Sequence, residues 1–69
     1  MINKEKLKKA YDLGYRTMQI NILDIGVSYA LDMFNYTYPA GEPYKGSLES
    51  YYYMKGEFDA LFNAVEEAA

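Results

Sequence analysis

Apolar and polar residues alternate with the period of an α-helix along three stretches of the chain. The stretches cover about residues 4–13, 15–36 and 48–67. Between the last two lies the segment 37–46 (TYPAGEPYKG), whose two prolines and two glycines are incompatible with regular structure. No stretch shows the strict alternation of a strand. The pattern predicts one all-α domain over residues 1–69.

Local signals indicate where the three helices begin. Asn3 and Ser47 can each cap the helix that follows them, because a short polar side chain can accept a hydrogen bond from a free N–H of the first turn. Gly14 either ends the short first helix or kinks it before the second. The two long helices are similar in length and are joined by a short loop, which predicts an antiparallel helical hairpin.

The helix predicted at 15–36 is apolar around most of its circumference. Its polar residues form one narrow strip, and apolar residues occupy both flanks. One antiparallel partner cannot cover both flanks, and a chain this short builds only a marginal core. We therefore predict a homodimer or higher oligomer, a helical bundle whose interface contains Ile20, Leu23, Val27, Leu31 and Phe34.

The last helix carries two distinct faces. Small residues recur every four positions at Gly56, Ala60 and Ala64, which predicts a close helix crossing or, alternatively, a groove for a ligand. The other face is a conventional apolar stripe expected to pack against the middle helix: Met54, Phe58, Leu61, Phe62 and Val65.

The amino-acid composition excludes most common kinds of catalytic site. The 69 residues contain no cysteine and no histidine, so the thiol nucleophile, the commonest general base and the commonest zinc ligand are all missing. Asp24 and Asp32 share a helix face but lie eight residues apart, too far to share a proton. We expect no enzymatic activity, no metal and no cofactor.

We expect neither a membrane-spanning segment nor an export signal. The sequence lacks a run of about 18 uncharged apolar residues, so we expect no membrane-spanning helix. Lysines near the N-terminus are not followed by the apolar segment of a signal peptide. These features predict a cytoplasmic protein that does not bind membranes.

Charge is distributed unevenly along the acidic chain, whose net charge is -3. Residues 1–16 hold five basic and two acidic side chains, whereas residues 17–69 hold two basic and eight acidic ones. An antiparallel hairpin would bring Glu66 and Glu67 to the basic segment, which is one expected compensation. The alternative is a small anionic ligand, held by phosphate contacts and tyrosine stacking at Lys8, Lys9, Tyr11, Tyr15 and Arg16.

Tyrosine is strongly over-represented, with nine among 69 residues. Its ring combines a rigid apolar face with a polar tip, which suits interfaces. The rings either fill a thin core and an oligomer interface, or they form a recognition surface. For the second case the predicted partner-binding residues lie in and beside the loop: Tyr38, Tyr44, Tyr52 and Tyr53.

Three short motifs carry a resemblance to known small proteins. They are the Gly14-Tyr15 pair, the Pro43-Tyr44 pair, and the segment 53–60 (YMKGEFDA) with its aromatic-x-x-Gly pattern. Together they resemble small proteins of the ribosome-modulation-factor type and short bacteriophage accessory proteins. The resemblance implies a tiny helical protein. Because that family is strongly basic and this chain is acidic, RNA binding is not carried over, and nucleic acid is not an expected partner.

Two functions fit these observations. The first is a non-enzymatic interaction protein of the phage accessory type, which binds and inhibits a host defence or regulatory protein in the host cytoplasm. The second is an oligomeric sponge that sequesters a small nucleotide second messenger.

Overall fold

The computed structural model describes residues 2–68, so the first and last positions of the predicted domain 1–69 lie outside the described residues. Helix α1 spans Lys4–Ile25, α2 spans Val27–Thr37 and α3 spans Leu48–Ala68. No strand occurs between residues 2 and 68. The predicted all-α class is confirmed for this part of the chain.

Both predicted helix caps are confirmed. The Oδ1 atom of Asn3 accepts a hydrogen bond from the Lys6 N–H at 3.2 Å. The Oγ atom of Ser47 accepts one from the Ser50 N–H at 3.1 Å. Each cap satisfies a backbone donor of the first turn that has no partner within the helix.

The chain breaks at Gly26 and not at Gly14. Gly26 has φ 87° and ψ 160°, a conformation that essentially only glycine adopts, and it separates α1 from α2. The predicted boundaries of a short helix at 4–13 and a continuous helix at 15–36 are therefore wrong. Gly14 remains inside α1, although a glycine there costs about 1 kcal/mol relative to alanine.

Gly14 and Gly56 allow the backbones of α1 and α3 to approach closely. A Cβ atom on Gly14 would overlap the carbonyl oxygen of Tyr53, and one on Gly56 would overlap the carbonyl oxygen of Tyr11. Both glycines are buried, as is Ala60. The close crossing predicted from the small residues of α3 is confirmed, and Gly14 is its counterpart on α1.

Helices α1 and α3 run parallel. The Tyr11 hydroxyl donates a hydrogen bond to Asp59, and the Asn63 side-chain amide donates one to the Tyr15 hydroxyl at 2.8 Å. A step of four residues along α1 therefore matches a step of four in the same direction along α3. In an antiparallel pair, a residue four positions later in α1 would contact a residue about four positions earlier in α3.

Helix α2 alone runs antiparallel to α3. The Phe34 ring lies 6.0 Å from the Phe58 ring, and one turn later the Tyr38 hydroxyl bonds to Glu57. The predicted antiparallel hairpin thus holds for the second half of the segment 15–36 and is wrong for the first half. The chain reverses direction at Gly26 and again in the loop after α2, whereas a hairpin reverses only once.

The parallel arrangement also corrects the expected charge pairing. Glu66 and Glu67 lie in the last turn of α3, at the opposite end of the molecule from the lysines that begin α1. They cannot neutralise Lys4, Lys6, Lys8 and Lys9 within one chain. Any compensation for those lysines must come from other groups.

The core is small and lies where the three helices meet. Side chains from all three helices contribute to it, with Tyr15, Ile22 and Phe34 packed around its edge. The buried apolar residues are Met18, Ala30, Ala60 and Leu61.

The predicted apolar face of α3 is used only in part. Leu61 is buried, whereas Phe58, Phe62 and Val65 are exposed. The reason is that the narrow face containing Gly56 packs against α1, and the short α2 covers only some of the large side chains. The predicted packing of this stripe against the segment 15–36 therefore holds only in part, through Leu61 in the core and the contact between Phe58 and Phe34.

The predicted oligomer interface remains largely uncovered within one chain. Leu23 is 87% exposed, Ile20 is 59% exposed and Leu31 is also exposed. Val27 and Phe34 are half-buried. Three large aliphatic side chains are thus available for contact with another surface.

Candidate functional site

A groove of about 720 Å3 lies between the loop 38–47, the end of α2 and the first half of α3. It forms because the loop folds back over α3. Most of its large lining side chains are aromatic or apolar: Phe34, Tyr38, Tyr44, Tyr51, Met54 and Phe58. We call this feature the aromatic groove.

The rings of the aromatic groove form a continuous series of contacts. Phe34 lies 6.0 Å from Phe58 and 5.0 Å from Tyr38, measured between ring centroids. Tyr44 lies 6.3 Å from Tyr38 and 5.8 Å from Tyr51. These separations are those of favourable tilted and edge-to-face aromatic pairs. The series joins the loop to both neighbouring helices.

Local backbone features shape the loop. The Glu42 N–H donates to the Pro39 carbonyl oxygen at 3.3 Å, which closes a turn. Within that turn Gly41 has φ 87°, a value that glycine adopts without steric cost. Gly46 presents no side chain to the Tyr44 ring, whose hydroxyl end lies against it. The loop is therefore held by its own turn and by the packing of Tyr44.

A hydrogen bond between Tyr38 and Glu57 fastens the beginning of the loop to α3. The Tyr38 hydroxyl donates to Glu57 Oε1 at 3.0 Å. Burial, reinforced by the Glu57 carboxylate, raises the pKa of the Tyr38 hydroxyl above its ordinary value. Burial also raises the pKa of Glu57, and the hydrogen bond from Tyr38 opposes that rise. The Tyr38 hydroxyl thus makes an intramolecular hydrogen bond, and the Tyr38 ring lines the aromatic groove.

The charged residues at the aromatic groove are balanced in sign. Glu42 and Asp59 line it together with Lys45 and Lys55. A net positive lining would favour an anion and a net negative one a cation. The balanced lining favours an uncharged, apolar occupant.

The four predicted partner-binding tyrosines do not share one surface. Tyr38 and Tyr44 both line the aromatic groove. Tyr53 lines a second groove between α1 and α3, which Tyr38 also borders. Tyr52 lines a third groove on another side of α3. The structure therefore brings together two of the four and separates the others.

Phe58 belongs to the predicted apolar stripe of α3, whereas Tyr51 was not predicted as a site residue, and both line the aromatic groove. Tyr51, Met54 and Phe58 follow one another at helical spacing, so the signal that could have identified this wall was present. It was interpreted as core because the sequence does not show that the small-residue face takes the main packing contact.

The predicted ligand-binding residues are also divided. Lys8 and Tyr11 line the third groove, whereas Lys9 lines the second. Tyr15 is half-buried, and its hydroxyl accepts the hydrogen bond from Asn63. Arg16 is exposed and lines none of the three grooves.

Tyr11 is held in place by α3. Its hydroxyl donates to Asp59, and this hydrogen bond, assisted by burial, raises the pKa of Tyr11 to about 12. Its ring lies 6.3 Å from that of Tyr15. Tyr11 therefore remains neutral at physiological pH, with a fixed ring position.

Between residues 2 and 68, no group of three or more acidic side chains is placed to hold a metal ion. In the same part of the chain no helix has the length and hydrophobicity that crossing a membrane requires. Comparisons with protein-family models, with curated proteins and with solved structures found no match. The geometry of the grooves is therefore the observation that points to a function.

Proposed function

We propose that this chain is a non-enzymatic interaction protein that binds an apolar segment of a partner protein in the aromatic groove. The observation that supports the proposal is the series of aromatic rings lining a groove whose charged residues sum to no net charge. Aromatic side chains in concave, partly desolvated sites supply much of the binding energy at protein interfaces. A segment that inserts one large apolar side chain between the rings would bury it with little cost in side-chain entropy.

The more specific form of the proposal concerns the partner. The Gly-Tyr, Pro-Tyr and aromatic-x-x-Gly motifs resemble those of short bacteriophage proteins, which supports an accessory role directed at a host protein. In this form the chain acts in the host cytoplasm and inhibits a defence or regulatory component by occupying its interaction site.

A peptide-display selection on the intact chain tests the groove directly. We expect enriched peptides to share one aromatic or large aliphatic anchor flanked by uncharged residues, because the lining carries no net charge. Tyr44→Ala and Tyr51→Ala should each weaken binding of a selected synthetic peptide at least tenfold, measured by calorimetry, since each removes a ring from the groove wall.

Tyr36→Ala is the matched control, because Tyr36 is 86% exposed and does not line the aromatic groove. It should leave peptide affinity unchanged. Circular dichroism at 222 nm should show that all three variants retain their helices. The proposal is wrong if no peptide family is enriched, or if the groove variants bind as tightly as the wild-type chain. A host target carrying such a segment should co-purify with wild type and Tyr36→Ala but not with Tyr44→Ala.

We also propose that a second copy of the chain covers the exposed aliphatic face around Leu23. The support is the exposure of Leu23 and Ile20 in a molecule whose core contains only a few buried side chains. Sedimentation at micromolar concentration should give a multiple of the 8.0 kDa chain mass. Leu23→Lys should reduce it to that of one chain, because burying an unpaired ammonium group is costly.

Asn21→Lys provides the control for self-association, because it adds the same charge at an exposed position on a different face of α1. Its mass should equal that of the wild type. A folded wild-type chain that sediments at 8.0 kDa would contradict self-association without affecting the peptide-binding result.

A further inference from the structure

A third groove, of about 290 Å3, lies between the N-terminal halves of α1 and α3. Its lining consists of Lys4, Lys8, Tyr11, Tyr52 and Lys55, and no carboxylate is among them. Lys55 is far from the other two lysines in sequence. The parallel packing of the helices is what brings these three lysines to one groove.

The electrostatics of this basic groove favour an anion. Lys4 and Lys8 lie in the first turns of α1, where positive charge is unfavourable because it opposes the helix dipole. The carboxylates at the end of α3 are too distant to neutralise them. Asp59 is close to the groove, and its carboxylate accepts the hydrogen bond from Tyr11. A bound dianion would relieve the repulsion among three lysines and form charge-assisted hydrogen bonds with them.

The aromatic residues of the basic groove indicate a second property of its ligand. Tyr52 is half-buried, and its ring meets that of Tyr51 edge-on at 5.8 Å. Tyr11 is held by its bond to Asp59 and stays neutral. Rings fixed in this way provide apolar surfaces on which a planar heterocycle can stack. An anion that also carries an aromatic ring would use both features.

We propose that the basic groove binds a nucleoside monophosphate. Its phosphate contacts the ammonium groups of Lys4, Lys8 and Lys55, and its base stacks against Tyr52. The volume of about 290 Å3 is just below the range of about 300–1,000 Å3 typical of small-molecule sites, so the groove suits a small ligand. The basic groove shares Lys55 with the aromatic groove, but Lys4, Lys8, Tyr11 and Tyr52 line only the basic groove. The proposal therefore does not depend on the proposed function.

Calorimetry and thermal unfolding with AMP, GMP, CMP and UMP test the proposal, with adenosine and inorganic phosphate as partial ligands. We expect at least one monophosphate to bind and to raise Tm, since a ligand that binds only the folded state stabilises it. Adenosine and phosphate should each bind at least tenfold more weakly. Lys8→Gln and Lys55→Gln should each weaken monophosphate binding at least fivefold, and Tyr52→Leu should weaken it while leaving phosphate affinity unchanged.

Lys9→Gln is the matched control, because it removes the same charge from the adjacent residue, which lines a different groove. It should bind like the wild-type chain, and so should Tyr44→Ala. The proposal is overturned if no monophosphate binds, if phosphate alone binds as tightly, or if Lys9→Gln is as impaired as Lys8→Gln. Tighter binding of single-stranded oligonucleotides than of any monophosphate would also overturn it, because it would assign the basic groove to a polymer.

Discussion

Replacing Gly56 with alanine should destabilise the protein by about 1–3 kcal/mol, although the same change in an isolated helix stabilises it by about 1 kcal/mol. The added Cβ atom would overlap the carbonyl oxygen of Tyr11. That oxygen belongs to the backbone of α1 and cannot move without shifting the helix. Chemical denaturation followed at 222 nm measures the effect, and Tm should fall by about 4–8 °C for each kcal/mol lost.

Gly56→Ala is expected to stabilise an isolated helix but to destabilise the folded protein. The sign of the measured change in stability therefore shows whether the helices cross closely at Gly56. A Gly56→Ala variant that is more stable than the wild type would show that α1 and α3 do not cross closely at this residue. Gly14→Ala should destabilise for the same reason, since its Cβ atom would overlap the carbonyl oxygen of Tyr53. Combining both changes should cost less than their sum, because one displacement of the helices relieves both overlaps.

Replacing Gly26 with alanine should lower the free energy of unfolding by about 1–3 kcal/mol while keeping or slightly increasing the helical signal at 222 nm. The backbone of Gly26, at φ 87° and ψ 160°, is strained for any residue with a side chain. Alanine at this position favours continuation of α1 directly into α2. The continuous helix cannot place Ala30 and Phe34 in the core, which accounts for the loss of stability.

Gly41→Ala is the control for this prediction. Gly41 also has φ 87° and has open space around its Cα atom, but it lies in the loop and does not separate two helices. Its replacement should reduce stability without raising the helical signal. An unchanged free energy of unfolding for Gly26→Ala would show that the sharp turn between α1 and α2 is not required for the fold.

The sequence predicted well those features that depend on neighbouring residues. The caps at Asn3 and Ser47 are examples, because a side-chain oxygen and the N–H it accepts from are three residues apart. The small residues at Gly56 and Ala60 also predicted a close crossing, since their spacing alone places them on one helix face. None of these features requires knowledge of the path of the chain.

The choice between Gly14 and Gly26 as the break could not be made in the same way. Both are glycines within apolar helical patterns, and each is compatible with a helix or a turn. The contact of Gly14 with the backbone at Tyr53 decides the matter, because it compensates the intrinsic cost of a glycine in α1. Gly26 has no such contact and is free to adopt the turn.

The composition of both candidate sites depends on where the chain turns and on the direction in which the helices then pack. Tyr38 and Tyr44 were identifiable from their position in the loop, whereas Tyr51, inside α3, was not predicted as a site residue. Lys8 was identifiable from the charge distribution, but its grouping with Lys55 follows only from the parallel direction of α1 and α3. Residues that belong to different helices come together according to the order and direction of packing.

By itself, then, the sequence determined the helical class, the starts of α1 and α3 and the small-residue face, all of which arise from interactions within about four residues. Only the tertiary structure decided the direction of α1 relative to α3, the covering of α3 by α2, and the composition of the aromatic and basic grooves. The physical reason is that a single turn at one glycine reverses the path of every residue after it. Its location is determined by backbone contacts between helices that are distant in sequence.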